Sequence, residues 1–241
     1  MKSPEIVMDL GGQSVRVRDV LVAGLAFASG AVDGLSYLAL GGIFASFMSG
    51  NTIFLGLRIG AGNISSALQP LDAMIGYIAG VTLAAFMGYS SSNEQEIWPR
   101  DATKLVLVEF VLLVMFAIGG FLAGGTPNQV AVYALIALAS VAMGIQSAVV
   151  YALRVYGVIT TAISATWTGA IIGLIDLRRS PPTKRTPEQE HNVGIQIIVL
   201  LSFVLGATAG GLAETHFSLE AAIIPVAIIG LVIVVASLRM R

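Results

Sequence analysis

The chain has 241 residues, of which 56% are hydrophobic and only 11% are charged, and its formal net charge is -1. A soluble domain of this length needs a polar exterior and carries about a quarter charged residues, so the composition excludes a soluble globular protein and indicates one embedded in lipid. The net charge offers no basic surface for nucleic acid, and the absence of cysteine excludes disulfides and thiolate chemistry.

Segments of about 20 mainly apolar residues, each long enough to cross a bilayer, recur along the chain. They predict an all-α polytopic bundle of about eight transmembrane helices, at residues 19–41, 43–62, 70–91, 104–124, 128–153, 157–177, 193–213 and 219–238. Polar residues interrupt the second and the sixth segments. Two re-entrant segments there would leave six spans, but we expect eight.

The eight segments divide into two groups of four. Residues 1–18 are predicted to form a polar cytoplasmic segment, 19–124 a first transmembrane repeat and 128–241 a second. The longest polar loop, 178–192, lies inside the second repeat. Pro181 and Pro182 are expected to break any helix there.

The basic residues are unevenly distributed across this topology. With eight spans, the side shared by both termini carries ten of the 13 Lys and Arg residues, and the other side carries Arg100, Lys104 and Arg154. Cytoplasmic loops are enriched in Lys and Arg, so both termini and the loop at 178–192 are predicted to be cytoplasmic.

The two halves resemble each other in sequence. Residues 28–40 align with 142–154, residues 43–52 with 158–167 and residues 79–88 with 205–214. The alignment pairs Gly30 with Gly144, Asp33 with Ser147, Tyr37 with Tyr151 and Gly80 with Gly206. Two repeats of four spans would have the same orientation, so the sequence predicts a parallel internal repeat whose interface holds the site.

Small residues recur every fourth position in four of the predicted helices. They include Gly30 and Gly34 in the first helix, Gly76 and Gly80 in the third, Gly144 in the fifth and Gly206 and Gly210 in the seventh. Residues four apart share one helix face, where small side chains let two backbones approach closely. This pattern indicates helix packing rather than ligand binding.

Asp33 is a lone carboxylate inside the first span. A charged group facing lipid costs several kcal/mol, about 3 on insertion scales, so Asp33 is expected to face the bundle interior. Burial disfavours the charged form, which makes Asp33 a candidate proton carrier. The alternative is a structural Asp33 held by neighbouring hydroxyl groups. Tyr37, one turn later, could donate to it, whereas Glu109 could reach the interface.

The polar segments that interrupt the second and the sixth predicted spans lie at corresponding positions of the two halves and suggest broken helices. Polar backbone inside a membrane is tolerated only where it lines a cavity or is buried in protein, although a hydroxyl-rich continuous helix is the simpler alternative. The predicted substrate- or ion-binding residues are Asp33, Tyr37, Ser49, Gly50, Asn51, Thr52, Gln146, Ser147, Thr161, Ser164 and Thr166.

The sequence gives no support for an enzyme. It contains none of the common nucleophile, zinc-protease or phosphate-loop motifs. His191 and His216 lie near predicted helix ends, away from any candidate nucleophile. We therefore expect no catalytic site, no metal site and no cofactor.

The segment 26–57 resembles the YoaK family of bacterial multi-pass membrane proteins, whose function is largely uncharacterised. The resemblance rests on Gly30, Asp33, the turn at Gly41 and Gly42, and the Met-Ser-Gly-Asn-Thr element at 48–52. Residues 142–153 and 160–168 are also similar to the family, but a Ser-Ala-Thr sequence at 164–166 replaces a second Thr-Gly element. The resemblance implies a multi-pass protein of the bacterial inner membrane and brings no established substrate.

The leading hypothesis is a small secondary transporter of unknown substrate, with a polar site between the two halves and Asp33 as its titrating group. The alternative is a non-transporting assembly or sensory module. The expected partners are the lipid bilayer and a small molecule or ion, with a homo-oligomer left open and nucleic acid excluded. A water-filled cavity at Asp33 would favour transport, whereas a dry Asp33 sealed by hydroxyl groups would favour the module.

Overall fold

A computed structural model describes residues 4–87, 97–124, 127–161 and 163–240. The described residues form an all-helical protein with no strand among them. The helices are α1 (Pro4–Ala39), α2 (Met48–Gly60), α3 (Ile64–Phe86), α4 (Arg100–Leu122), α5 (Gln129–Ala152), α6 (Ile163–Arg179), α7 (Pro187–Phe217) and α8 (Ile223–Arg239), with short 3-10 turns at Pro182–Lys184 and Ser218–Ala222.

A helix lies at each of the eight predicted positions, but not all of them have the length of a membrane span. Among the described residues, five helical stretches are long and apolar enough to cross a membrane. The last of these, Pro187–Arg239, contains both α7 and α8, which are separated at Ser218 by a residue with φ 50°. These five stretches contain the six helices α1, α3, α4, α5, α7 and α8, of which α8 by itself has 17 residues.

The helices at the second and sixth positions are shorter than the predicted spans at 43–62 and 157–177. α2 has 13 residues and α6 has 17. At about 1.5 Å per residue, 13 residues reach roughly 20 Å, against a hydrocarbon core of roughly 30 Å. The prediction that these segments are helical spans is not confirmed.

Two polar regions differ from their predicted form. The predicted N-terminal segment at 1–18 is helical from Pro4 onwards and continues into α1. The predicted loop at 178–192 is shorter than expected, because α7 begins at Pro187. Thr186 caps that helix and forms a capping box with Gln189, which satisfies backbone N–H groups at the helix start.

α1 and α7 pack closely and run in the same direction. A Cβ atom added at Gly206 would collide with the backbone carbonyl of Phe27, and one at Gly210 would collide with that of Ala31. Both contacts advance by four residues on each helix, which requires parallel helices. The prediction that the small residues serve helix packing is confirmed here.

α3 and α5 form a second parallel pair with the same kind of contact. A Cβ atom at Gly80 would collide with the carbonyl of Val141, and one at Gly144 with the carbonyl of Tyr77. The parts played by Gly80 and Gly144 in this pair match those of Gly206 and Gly30 in the other, because Gly30 lies against the carbonyl of Phe203.

The remaining contacts fix the direction of the other helices. α4 and α8 are antiparallel, since Gly120 faces Leu219 and Gly230 faces Phe110. α8 follows the turn at 218–222 and returns along α1, and α5 follows α4 after a short connection and returns along it. It follows that α1, α4 and α7 run one way and that α3, α5 and α8 run the other.

The core surrounds α1, whose span is two-thirds buried, whereas large apolar side chains cover the outside. Phe86, Leu122 and Val130 are each more than three-quarters exposed in the isolated chain. Such a surface is stable only against lipid or another protein. The chain is a membrane protein, as predicted.

Candidate functional site

α1 ends in a glycine turn. Gly41 and Gly42 adopt φ values of 81° and 77°, in the left-handed region that glycine tolerates best, and the N–H of Gly42 donates to the carbonyl of Tyr37. The chain then runs without helical structure through residues 43–47 before α2 begins. This turn directs 43–47 back along α1.

Ser46 attaches this non-helical segment to α1. Its backbone N–H donates to Oδ1 of Asp33 over 2.7 Å, and its hydroxyl group donates to Oδ2 over 2.6 Å. Ser29, one turn before Asp33 on the same face, donates to the hydroxyl oxygen of Ser46 over 3.0 Å. All three residues are buried, and Asp33 is 3% exposed. Asp33 is therefore sealed by hydroxyl and amide donors.

Asn51 holds the start of α2 against the same segment. Its Oδ1 accepts the N–H of Phe44 over 3.1 Å, and its Nδ2 donates to the carbonyl of Phe44 over 2.6 Å. The side-chain amide thus hydrogen-bonds to both the N–H and the carbonyl of Phe44, which have no partner within a helix. Gly50 lies inside the first turn of α2, where a Cβ atom would approach the Phe47 ring to 2.6 Å. The break in the helix comes before Gly50, not at it.

The end of α2 returns to the place where the segment started. Arg58 donates to the carbonyl of Gly41 over 3.1 Å, and to the carbonyl of Ser66 and the side chain of Gln69 in α3. Residues 41–60 therefore form a hairpin, with one extended arm and one helical arm, that enters and leaves at the same end of α1. We call it the first hairpin.

Residues 153–161 and 163–179 form a second hairpin with corresponding contacts. The hydroxyl groups of Ser147 and Thr161 are hydrogen-bonded, at the positions that the sequence alignment pairs with Asp33 and Ser46. The N–H of Ile159 donates to Thr166, as the N–H of Phe44 donates to Asn51, and each acceptor lies seven residues after its donor. A hydroxyl pair replaces the carboxylate, and threonine replaces asparagine.

Gln146 links the tip of the second hairpin to α1. Its Nε2 donates to Thr160 in the second hairpin and to the carbonyl of Leu25 in α1, both over 3.1 Å. Leu25 lies one turn before Ser29, the α1 residue that contacts the first hairpin through Ser46. One turn is about 5.4 Å, so the first hairpin tip contacts α1 directly about one turn from the point where Gln146 links the second tip to α1. We call this region the hairpin-tip site.

Seven of the predicted binding residues surround the two hairpin tips, and four do not. The seven are Asp33, Gly50, Asn51, Gln146, Ser147, Thr161 and Thr166. Tyr37 stacks on Phe44 with ring centroids 4.9 Å apart and does not donate to Asp33, so that prediction is wrong. Ser49, Thr52 and Ser164 are exposed, and the Thr52 hydroxyl donates to a carbonyl of its own helix.

Sequence reasoning did not include several polar groups that the structure places in the core. Ser29, Ser46 and Thr160 complete the hairpin-tip site, and their spacing from Asp33 and Gln146 was the available signal. Glu109 was expected to reach the interface, but it is fully buried in α4. Neither of its carboxylate oxygens has a hydrogen-bond partner among the described residues.

Comparison with known proteins places this architecture in a family. Residues 21–236 match the family model described as "Protein of unknown function (DUF1275)". The chain is 29% identical to the UPF0700 transmembrane protein YoaK of Bacillus subtilis (strain 168), over 92% of this chain and 96% of that protein. No solved structure matches.

Proposed function

The chain belongs to the DUF1275 family of transmembrane proteins, and we propose that it is a six-span transporter for a small polar solute whose path passes the tips of two re-entrant hairpins. The observation that carries the proposal is the bridge that Gln146 forms between the second hairpin tip and α1, one turn from the contact of Ser29 with the first hairpin tip.

Helix direction supports six spans. Since α1 and α3 run in opposite directions, the first hairpin between them must start and end on the same side of the membrane. The same holds for the second hairpin, because α5 and α7 also run in opposite directions. The spans are then α1, α3, α4, α5, α7 and α8, and the two hairpins enter from opposite sides.

Charge placement supports this topology more strongly than eight spans. With six spans, both termini still share one side, and that side gains Arg100, Lys104 and Arg154 while it loses Arg58. Twelve of the 13 basic residues then lie on the terminal side. The positive-inside rule assigns that side to the cytoplasm, in a bacterial inner membrane. Arg58 remains alone on the far side, where three hydrogen bonds hold it.

The internal repeat is accordingly inverted rather than parallel. Each repeat has three spans and one hairpin, and an odd number of spans reverses the orientation of the second repeat. Gly30 and Gly144 make equivalent contacts in their two helix pairs, and so do Gly80 and Gly206. This equivalence supports the repeat. In this arrangement α1 of one repeat pairs with α7 of the other, and α5 pairs with α3, as a two-fold axis in the membrane plane requires.

Inverted repeats with discontinuous helices are the architecture of many secondary transporters, which bind their solute where the broken helices meet. Here α2 and α6 both begin at the deep ends of their hairpins, so both helix N-termini point toward the hairpin-tip site. In the first repeat, the carboxylate of Asp33 already lies at the deep end of the hairpin. In the second repeat the neutral Ser147 leaves the corresponding end free of a carboxylate, and the Gln146 Oε1 has no partner among the described residues.

These contacts change the role proposed for Asp33. Its two oxygens are occupied by Ser46, so we assign it to anchoring the first hairpin. Glu109 is the better candidate for coupling transport to an ion or proton, since its buried carboxyl group lacks a described partner. Ionisable groups inside membranes commonly mark such pathways.

The test is solute uptake into proteoliposomes, with and without a pH gradient. We expect a small polar solute to accumulate, Gln146→Leu to abolish uptake and Glu109→Gln to abolish its dependence on the gradient. Gln129→Leu, at the exposed start of α5, is the matched control and should transport normally. Equal uptake by the Gln146→Leu variant and the control would refute a path at the hairpin tips.

The second candidate is a non-transporting membrane module. It is favoured by the burial of Asp33, which is 3% exposed and has both carboxylate oxygens hydrogen-bonded to Ser46. If the protein is such a module, no solute should cross the membrane, and Gln146→Leu should change only the stability of the protein.

A further inference from the structure

A separate cavity lies between α6 and α7, on the side of the bundle where α1 begins. It has a volume of about 460 Å³, within the range of small-molecule sites. Asp176 and Glu188 are exposed at its rim, and Gln196 lies at its floor next to Tyr156. The residues that line it include two carboxylates and no lysine, arginine or histidine.

The second repeat has two glycines beside this cavity where the first repeat has large side chains. When Phe44 is aligned with Ile159 and Asn51 with Thr166, Phe54 and Arg58 of α2 correspond to Gly169 and Gly173 of α6. In the first repeat, the Arg58 side chain fills the space between α2 and α3 and bonds to α3. In the second repeat, Gly169 and Gly173 both line the opening. The two glycines let α6 approach α7 closely beside the cavity, since a Cβ atom at Gly169 would lie 3.0 Å from Gln196 Nε2 and one at Gly173 would lie 2.5 Å from Val193 Cγ2.

Gln196 presents an unused acceptor to this space. Its side chain is 1% exposed, and its Nε2 donates to the carbonyl of Tyr156 over 3.2 Å. Its Oε1 has no partner among the described residues. A buried amide oxygen without a donor destabilises the protein, and a bound N–H group would supply that donor. Neither Asp176 nor Glu188 forms a salt bridge within the described part of the chain.

We propose that the α6–α7 cavity binds a small organic cation with N–H donors, such as a protonated primary amine, between the carboxylates of Asp176 and Glu188 and the free oxygen of Gln196. The carboxylates attract the positive charge, and the amide oxygen selects a cation that can donate a hydrogen bond. This site is distinct from the hairpin-tip site and does not depend on the proposed transport.

Isothermal titration of the full chain in lipid nanodiscs with n-butylammonium chloride tests the site. We expect saturable binding, with affinity at least about tenfold above that of butan-1-ol, which lacks the charge, and of tetramethylammonium chloride, which lacks N–H donors. Equal affinity for all three probes, or no saturable binding of butylammonium at tens of millimolar, overturns the proposal.

Variants of the lining residues test whether butylammonium binds in this cavity. Glu188→Gln should weaken butylammonium binding about fivefold or more, a loss of roughly 1 kcal/mol, whereas Glu190→Gln, in the same turn of α7 but outside the cavity lining, should not. Gly173→Leu should abolish binding, because the added side chain would displace Val193, which also lines the cavity. If that variant does not fold, Gln196→Leu at the cavity floor tests the site instead. Equal binding by Glu188→Gln and Glu190→Gln refutes the site, whatever the outcome of the uptake assay.

Discussion

Ser46 donates two hydrogen bonds to Asp33, one from its backbone N–H and one from its hydroxyl group, and each reaches a different carboxylate oxygen. Asp33 lies on α1 and Ser46 on the extended arm of the first hairpin, so this pair joins the two. A hairpin arm has few backbone hydrogen bonds of its own, and side chains must supply them. The stability of the first hairpin therefore depends on this contact.

Ser46→Ala should destabilise the protein. The change removes the donor to Oδ2 of Asp33 and the acceptor of the Ser29 hydroxyl, and a buried polar group without a partner costs about 1–3 kcal/mol. The thermal unfolding midpoint in detergent is the measurement. Ser49→Ala, three residues later and exposed, is the matched control and should leave the midpoint unchanged. A Ser46→Ala midpoint equal to that of the control would show that the pair does not hold the hairpin.

Asn51 should be replaceable by threonine but not by valine. Thr166 accepts the N–H of Ile159 as Asn51 accepts that of Phe44, so a threonine hydroxyl can serve the same backbone group. Valine has the shape of threonine without the hydroxyl, which leaves the Phe44 N–H unpaired at a cost of about 1–3 kcal/mol. Thermal midpoints should rank wild type and Asn51→Thr above Asn51→Val. An equal loss for both variants would mean that packing, not the acceptor, matters at this position.

The two topologies differ in the side on which α3 begins. Since the chain lacks cysteine, a single cysteine can be introduced without background labelling. With six spans, Ser65→Cys in the exposed first turn of α3 should react with a membrane-impermeant maleimide on intact cells, whereas Ser180→Cys should react only after lysis. Eight spans predict that both positions require lysis. Labelling of Ser180→Cys on intact cells would place the termini outside and reject both topologies.

Gly80→Ala should destabilise the α3–α5 pair, although alanine usually favours a helix by about 0.5–1 kcal/mol over glycine. The added Cβ atom would collide with the carbonyl of Val141, and overpacking costs typically about 1–3 kcal/mol. Gly56→Ala is the control, because nothing lies within 4 Å of its Cβ position. The thermal midpoint should fall for Gly80→Ala and stay level or rise for Gly56→Ala. Similar shifts for both would argue against the close approach.

Much of the candidate site was visible in the sequence. The alignment of the two halves paired Asp33 with Ser147, and the structure gives both residues the same contact, each with the next polar segment. Tyr37 was misplaced because four-residue spacing defines a helix face but not what packs on it. Phe44 stacks on the Tyr37 ring after the chain has turned back, and only the folded chain shows that contact.

By itself, the sequence determined that the protein lies in a membrane, where its helices are and which residues of the two halves correspond. These properties can be read from hydropathy and residue spacing, because the properties follow from local composition. The tertiary structure decided the path of the segments around Ser46 and Thr161. An extended arm followed by a short helix is long enough either to cross a bilayer or to turn back in it. The parallel contacts of Gly206 with Phe27 and of Gly80 with Val141 set the directions of the helices on either side, and these contacts join residues more than 60 positions apart.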